Sequence, residues 1–317
     1  MTLFTAIDAT IEVSMVMIPP IFIGFFIASI IRSSPYFRYL NLPTARLASI
    51  ANLSSECSTA FTMFLVNNWA ALAVLSEVHR KKRITDAELI VAILVGFLPK
   101  GFHGSIFFSV PVALSVLGLH VGVLYVCLDF FVNLLTATAG ILAGRLILTP
   151  IKTSGVDDEM QMLKAKWPTI IKNGILESIS SSKKIIKILI PTIFLAQLAI
   201  DYILVLPIVE KYTALIEPFG FSSSSLIVLL ASVVSQSAAI VASGTLLKEG
   251  SLTAIGCLLL LFMARFLHLG IGCFRIGIPA NVSYFGGSLG LRVTAIEYLL
   301  IELANCLVIS ILLVVFM

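Results

Sequence analysis

Charged residues are scarce in this sequence. Lys, Arg, Asp and Glu make up 12% of the chain, and the mean hydropathy is +1.07, whereas soluble domains carry about 25% charged residues. A water-soluble fold of 317 residues has too little interior for so many apolar side chains. The apolar runs are continuous and lack the period-2 alternation of transmembrane strands. The composition therefore predicts an all-α, polytopic transmembrane helical bundle.

Cysteine patterns and catalytic motifs are also missing. The five Cys show no C-x-x-C spacing and most lie in apolar runs, so neither a disulfide framework nor a thiolate metal site is expected. H-E-x-x-H does not occur, and no nucleophile–base pair has motif support. We expect a protein that is not an enzyme and holds no cofactor beyond a coupling H⁺ or Na⁺.

Long apolar windows are what the sequence does contain. Residues 18–31, 122–148, 188–206 and 294–316 approach or exceed the ~20 residues that span a bilayer. The net charge of +4 lies mainly in loops, which indicates membrane topology and not nucleic-acid binding. The expected partners are the lipid bilayer and a small-molecule or ion substrate, and the sequence is compatible with a homo-oligomer.

A nine-residue motif occurs twice, at 110–118 and 278–286, with Pro, Ser and Gly in register. Weaker matches follow in the same order: 18–22 with 190–194, 55–57 with 235–237, 84–87 with 252–255, and Asp129 with Glu297. A collinear set of matches predicts a tandem duplication. We assign a first transmembrane repeat to 1–150, a linker to 151–187 and a second repeat to 188–317. Pro111 and Pro279 are expected to kink their helices, and Gly118 and Gly286 to permit a tight turn.

Charge distribution predicts that the two repeats have opposite orientations. The first repeat carries the basic run 79–83, whereas the equivalent stretch of the second holds only Lys211 and Lys248 among acidic residues. Under the positive-inside rule these stretches face opposite sides of the membrane. The lysine-rich linker 149–187 is expected to form a cytoplasmic amphipathic helix. The prediction is two inverted repeats in the plasma or inner membrane, with both termini outside.

Each repeat also contains a segment too polar for a plain lipid-facing helix, at 45–78 and at 222–247. Such segments are tolerated in a bilayer only inside protein or beside a watery cavity. We expect a broken or re-entrant helix in each.

Taken together, the duplicated unit, the Ser/Glu/Asn-rich broken segment and the helix pair punctuated by Pro and Gly resemble the Gate domain, in pattern over nearly the whole chain. That domain is shared by concentrative nucleoside transporters, the membrane part of the bacterial ferrous-iron transporter and spore-maturation-type membrane proteins, and the nucleoside-recognition group is the most similar. The sequence departs from the iron transporter because it has no G-protein domain and no G-x-x-x-x-G-K-[ST] loop. The resemblance implies permeation of a small solute or ion without naming it.

The polar segments supply the first candidate site. A carboxylate at membrane depth marks function by default, so Glu56 could bind a cation, carry a proton or accept hydrogen bonds from a solute. Alternatively, the hydroxyls cap a broken helix and Glu56 is a capping carboxylate near the surface. Asn67 and Asn68 either line the cavity or form a turn. The candidate substrate-binding residues are Asn52, Ser54, Ser55, Glu56, Ser58, Asn67, Asn68, Ser235, Gln236, Ser237 and Asn281.

Charged residues inside apolar stretches form a second group. Lys100 is expected to pair with Glu56 or Asp129, and Arg265 or Arg275 with Glu297 or Glu302. Acids within such helices serve proton or sodium coupling, or are simply partners of the basic residues. The candidate coupling or ion-pair residues are Lys100, Asp129, Arg265, Arg275, Glu297 and Glu302.

A third group, Cys57, His103 and His268, could ligate a metal, although a single His in a helix is more often hydrogen-bonded core. These patterns lead to three functional hypotheses. The leading one is a secondary transporter or facilitator of a small polar solute, nucleoside-like or other, working by alternating access at the repeat interface. The alternatives are a divalent metal transporter, such as one for ferrous iron, and a non-transporting membrane scaffold or regulatory partner.

Overall fold

The computed structural model describes residues 41–149 and 221–316, with single positions elsewhere. Within those two ranges every regular element is helical. The first range contains α1 (Asn41–Ile50), α2 (Ser55–Phe64), α3 (Asn68–Arg80), α4 (Asp86–Val95), α5 (Phe97–Gly104) and α6 (Val110–Ile147). The second contains α7 (Ser225–Val234), α8 (Gln236–Lys248), α9 (Ala254–Gly272), α10 (Ile278–Phe285) and α11 (Gly287–Phe316). The predicted first helix and most of the linker 151–187 lie outside the described residues.

Helix boundaries of the second range repeat those of the first at a constant displacement. The first residues of α8 and α9 lie 168 positions after those of α3 and α4. The π-helical turns Ser105–Ser109 and Cys273–Gly277 have the same displacement. Lys82 and Gly250, also 168 apart, both have positive φ, at 55° and 73°. The duplication in the sequence is thus also a duplication of secondary structure.

Both polar segments are broken into two helices. Asn67 and Ser235 interrupt them with extended backbone, at φ −158° and −163°. Their side chains accept hydrogen bonds from the first N–H groups of α3 and α8, groups that have no partner within the helix. In the first repeat, Arg83 Nη1 lies 3.0 Å from Glu56 Oε1. This contact brings the end of the α2–α3 hairpin back to its beginning.

The hairpins revise one alignment made from the sequence. Residues 55–57 match 235–237 by letter, but Ser235 caps the second arm of its hairpin, as Asn67 does. Gln236 therefore corresponds to Asn68 and not to Glu56. Serine is common at helix starts because its hydroxyl caps free N–H groups, and this makes the two ends of a hairpin similar in sequence.

Among the described residues, three helical stretches are long and apolar enough to cross a membrane: Asp86–Ile147, Ala254–Phe285 and Gly287–Phe316. The first of them reverses direction at Gly118, whose φ of +75° and ψ of 175° are essentially restricted to glycine. Ser109 Oγ consequently lies 3.2 Å from Asp129 Oδ2, although 20 residues of straight helix would separate them by ~30 Å. Gly286, with φ +83°, makes the equivalent turn between α10 and α11. The predicted tight turns are confirmed.

Pro111 and Pro279 lie in the first turn of α6 and of α10, directly after the π-helical turns. Proline removes an N–H and disturbs the preceding turn, and a π-helical turn is one way a helix continues through such a place. The predicted disturbance of the helix is therefore local and does not end it.

Apolar side chains form both the interior and much of the exterior. The larger buried cluster contains Tyr125 and Phe262 and joins helices of both repeats, while a second cluster lies around Phe61 and Leu75. Leu299, Leu303, Leu307 and Ile311 form an exposed stripe along α11. Exposed apolar helices of this length are typical of lipid contact. The chain is a helical membrane protein.

Candidate functional site

Two ion pairs connect the first repeat with the second. Lys100 Nζ of α5 lies 3.3 Å from Glu297 Oε1 of α11, and Asp129 of α6 pairs with Arg265 of α9. Asp129 and Glu297 occupy equivalent positions, and each contacts a cation from the other repeat. The two acids are therefore equivalent, whereas the cations Lys100 and Arg265 come from different positions of their repeats.

A second contact between the repeats is reciprocal in the same way. Ser76 Oγ of α3 donates to Tyr284 O of α10 at 2.6 Å. At the equivalent place Gly244 of α8 packs closely against Val116 of α6. A Cβ added to Gly244 would lie 3.0 Å from the carbonyl oxygen of Val116. The second arm of each hairpin thus packs against the short segment that precedes the glycine turn of the other repeat.

The Asp129–Arg265 pair is almost fully buried. The side chains are 13% and 10% exposed, and Ser109 Oγ donates to Asp129 Oδ2. Tyr125 lies one turn before Asp129 on α6, and its ring is 5.9 Å from that of Phe262. Charges at this depth are costly unless they are paired. The pair therefore holds α6 and α9 together in the described conformation.

The tip of the second hairpin reaches this pair through Gln236. Gln236 Nε2 donates to Tyr125 Oη at 3.2 Å, whereas its Oε1 is buried and has no hydrogen-bond partner within 41–149 and 221–316. His268 Nδ1 lies 2.7 Å from Ser232 O, near the end of α7. A broken helix, a buried ion pair and an amide with spare acceptor capacity thus meet at the repeat interface.

The Lys100–Glu297 pair is more open. The two side chains are 34% and 13% exposed. Asn281 is buried and donates through Nδ2 to Glu297 Oε2 at 3.2 Å and to Thr294 Oγ1 at 3.0 Å. Lys100 Nζ lies 4.4 Å from the centre of the Phe97 ring. An ammonium, a carboxylate and an amide are thus brought together from α5, α10 and α11.

Several residues predicted for the site lie at the base of the first hairpin instead. Glu56 pairs with Arg83, at 31% and 60% exposure. Ser54 N donates to Glu88 Oε1 at 2.8 Å, and Asn52 Nδ2 to Leu148 O at 3.3 Å. Ser58 Oγ donates to Ser55 O within its own helix. Ser54 precedes α2 without a side-chain capping bond, so these contacts connect the base of the hairpin to α4, α6 and the loop after α3.

Asn67, Asn68 and Ser237 occupy the hairpin tips. Asn67 Oδ1 accepts from Trp69 N and Ala70 N at 2.8 and 3.3 Å, the role of a turn residue and helix cap. Asn68 and Ser237 are half-buried in the first turns of α3 and α8. Ser235 likewise acts as a cap, since its Oγ accepts from Ala238 N at 3.1 Å.

The three residues suggested as metal ligands are spread over the fold. His103 Nδ1 lies 2.8 Å from Leu65 O, and Cys57 is buried with its Sγ 3.7 Å from Ser54 Oγ. Within the described part of the chain, no three His, Cys, Asp or Glu side chains are placed to share a metal ion. Arg275 is exposed. Glu297 pairs with Lys100 and not with Arg275.

Sequence reasoning identified the charged residues but not their polar neighbours. Three such neighbours form hydrogen bonds with predicted site residues: Ser109 with Asp129, Tyr125 with Gln236 and Thr294 with Asn281. Tyr125 precedes Asp129 by one helical turn, so helical spacing alone could have included it. Ser109 and Thr294 become recognisable only when the glycine turns are known to fold each helix back on the preceding one.

Comparisons with known proteins give relatives without a described activity. The chain is 25% identical to the uncharacterized protein MJ0880 of Methanocaldococcus jannaschii over 93% of its own length and 95% of that protein. It is 24% identical to the uncharacterized protein MJ0871 of the same organism, over 95% and 92% of the two chains. No family model matches the sequence, and no solved structure matches it. Both alignments extend over more than nine-tenths of each chain.

Proposed function

We propose that this protein is a secondary transporter or facilitator of a small polar solute, with the solute site at the interface between two inverted repeats. The observation that carries the proposal is the pair of reciprocal ion pairs, Lys100 with Glu297 and Asp129 with Arg265. Charged residues inside a membrane protein mark substrate or ion pathways. Duplicated transporters place their sites where the repeats and their broken helices meet.

The loops after the hairpins support an inverted arrangement. Lys82 and Gly250 lie at equivalent turns with positive φ. The first of these loops carries Arg80, Lys81 and Arg83, whereas the second carries a single lysine beside Glu249. Equivalent loops of such different charge belong on opposite sides under the positive-inside rule. The first loop and the linker 149–187 would then face the cytoplasm.

The reciprocal contacts also suggest how access alternates. If the repeats rock about their common axis, one ion pair can open towards one side while the other stays closed, because the two acids are equivalent but their cations, Lys100 of α5 and Arg265 of α9, are not. Lys100–Glu297 is the more exposed pair and Asp129–Arg265 the more buried. In the described conformation both are formed, which corresponds to a closed or occluded state.

A thermal-shift panel on the purified full chain tests the proposal. The panel contains nucleosides first, because of the resemblance to Gate-domain proteins, and then nucleobases, amino acids, organic acids, Na⁺ and divalent metals. A solute at ~100 times its dissociation constant should stabilise the fold by about 2.7 kcal/mol. Any solute that stabilises the protein is then followed as uptake into proteoliposomes.

Two variants and one control locate the site. Asn281→Ala introduces alanine, the residue that the first repeat has at the equivalent position 113. Gln236→Ala removes the side-chain amide whose Oε1 is buried without a partner among the described residues. We expect both to reduce solute stabilisation and uptake, while Glu56→Gln leaves them unchanged. Stabilisation that is insensitive to Asn281 and Gln236 would place the solute elsewhere. A panel without any response, together with no uptake, would contradict transport and favour the scaffold alternative.

A further inference from the structure

The two repeats differ at one interior contact where their packing is otherwise equivalent. In the second repeat Arg265, Glu302 and Asn305 lie where α9 packs against α11. At the equivalent positions, 168 residues earlier, the first repeat has Phe97, Leu134 and Ala137. An apolar trio therefore satisfies the packing of this helix pair. The charged and amide side chains of the second repeat need another explanation.

Glu302 and Asn305 lie on one face of α11, because they are three residues apart. Asn305 Nδ2 donates to Phe262 O of α9 at 3.2 Å, which turns its Oδ1 away from that carbonyl. Arg265, one turn after Phe262, is the cation whose charge acts on Glu302. The antiparallel helices thus present an amide, a carboxyl and a guanidinium to each other.

Two oxygen atoms of this group have no partner. Glu302 Oε2 and Asn305 Oδ1 are buried and accept no hydrogen bond from any residue of the two described ranges. The nearest cation, Arg265, is paired with Asp129. A buried acceptor without a donor is costly, and a carboxylate without a counter-charge at membrane depth far more so. A single proton on the carboxyl removes the charge and adds the missing donor, within reach of the amide three residues away.

We propose that Glu302 is the proton-carrying residue of the transporter: its carboxyl holds a proton while Arg265 pairs with Asp129, and releases it when Arg265 turns to Glu302. The inference rests on the proposed function, since a coupled transporter must exchange a coupling ion with both sides. The step moves one proton between the carboxyl and water, and Arg265 supplies the counter-charge that the carboxylate then needs. Glu302 is half-buried, which leaves one side of its side chain open for the proton to leave.

The groups around Glu302 define what else titrates there. Its charge interacts with that of Arg265 on α9, Cys273 in the π-helical turn, and Tyr298 and Cys306 on α11 itself. Asp129 of α6 is one ion pair further away. Within the described residues, Arg265 is thus the cation that acts on the Glu302 carboxyl. Whether Arg265 pairs with Asp129 or with Glu302 determines whether that carboxyl is charged.

Infrared difference spectroscopy tests the proposal without a known solute. The full chain is measured in maltoside detergent, which has no ester carbonyl to obscure the C=O stretch of a protonated carboxyl. We expect this band in the wild type at neutral pH and its loss in Glu302→Gln. If Glu302→Gln fails to fold, Glu302→Leu replaces it, because leucine is the residue of the first repeat at that position. Glu297→Gln is the matched control and should keep the band, since Glu297 is paired with Lys100.

A wild type without the band, or a band that survives both Glu302 variants, would overturn the proposal. Loss of the band on replacing choline by Na⁺ at constant ionic strength would also overturn it and assign a sodium site instead. The spectrum does not depend on transport, so a missing band refutes the proton carrier and leaves the proposed function standing, whereas a panel without any response, together with no uptake, contradicts transport even where the band is present. Once a solute is known, a pH gradient should drive its uptake in the wild type and not in Glu302→Gln.

Discussion

Buried charge is the most consequential feature at the level of single residues. Asp129 and Arg265 are both largely buried and belong to different repeats, and together they form an ion pair. The sequence identified the candidate partners of Lys100 and Arg265 but not the pairs that form. Lys100 was expected to bind Glu56 or Asp129 and instead binds Glu297. Partner choice depends on how the repeats dock, and no local pattern encodes that docking.

Asp129→Asn should destabilise the protein by about 3–5 kcal/mol, because it breaks the buried ion pair that Arg265 makes in the described conformation. The measurement is the free energy of unfolding in mixed micelles as denaturing detergent is added. Combining Asp129→Asn with Arg265→Met removes both charges and should recover most of the loss. A single variant within about 1 kcal/mol of the wild type would show that the pair contributes little.

Glu56→Gln should change the free energy of unfolding by no more than about 1 kcal/mol, because the Glu56–Arg83 pair is exposed to solvent. The same unfolding assay measures it, and Arg83→Gln is the matched partner variant. Added salt should lower the free energy of unfolding of the wild type by no more than it lowers that of the two variants. A large loss, or a loss of uptake in Glu56→Gln alone, would return Glu56 to the site, as the membrane-depth hypothesis has it.

At the level of elements, glycine turns and capped breaks divide the helices. The Pro and Gly residues of the repeated motif predicted the position of the tight turns, and the polar composition predicted that 45–78 and 222–247 are interrupted. The positions of the breaks were harder to predict, because Ser and Asn are as common at the base of a hairpin as at its tip. Only their capping bonds distinguish Asn67 and Ser235.

Gly118→Ala and Gly286→Ala should each cost roughly 1–3 kcal/mol, because a side chain is strained at these positive φ angles. The controls are Gly104→Ala and Gly270→Ala, which lie in helices where an added Cβ meets no atom within 4 Å. Both should be neutral or stabilising, since alanine favours helix. The midpoint of thermal unfolding compares the four variants. Equal effects at all four glycines would contradict the assigned turns.

At the level of the whole molecule, we propose that two copies of one helical unit lie inverted in the membrane. They share a polar interface through which a solute passes. The sequence predicted the duplication from its repeated motif and its inversion from the charge of the loops. It could not predict that the contacts between repeats are reciprocal, because those contacts join residues about 130 to 210 positions apart. Such separations are set by packing of the whole chain.

The most direct test of this account is the sidedness of two equivalent loops. Arg80→Cys and Lys248→Cys, 168 positions apart, are treated in intact cells and in inverted vesicles with a thiol reagent that does not cross membranes, in a background without the native cysteines. The account predicts labelling of position 80 from the cytoplasmic side alone and of position 248 from the outside alone. Labelling of both positions from the same side would mean parallel repeats and would contradict alternating access about an inverted interface.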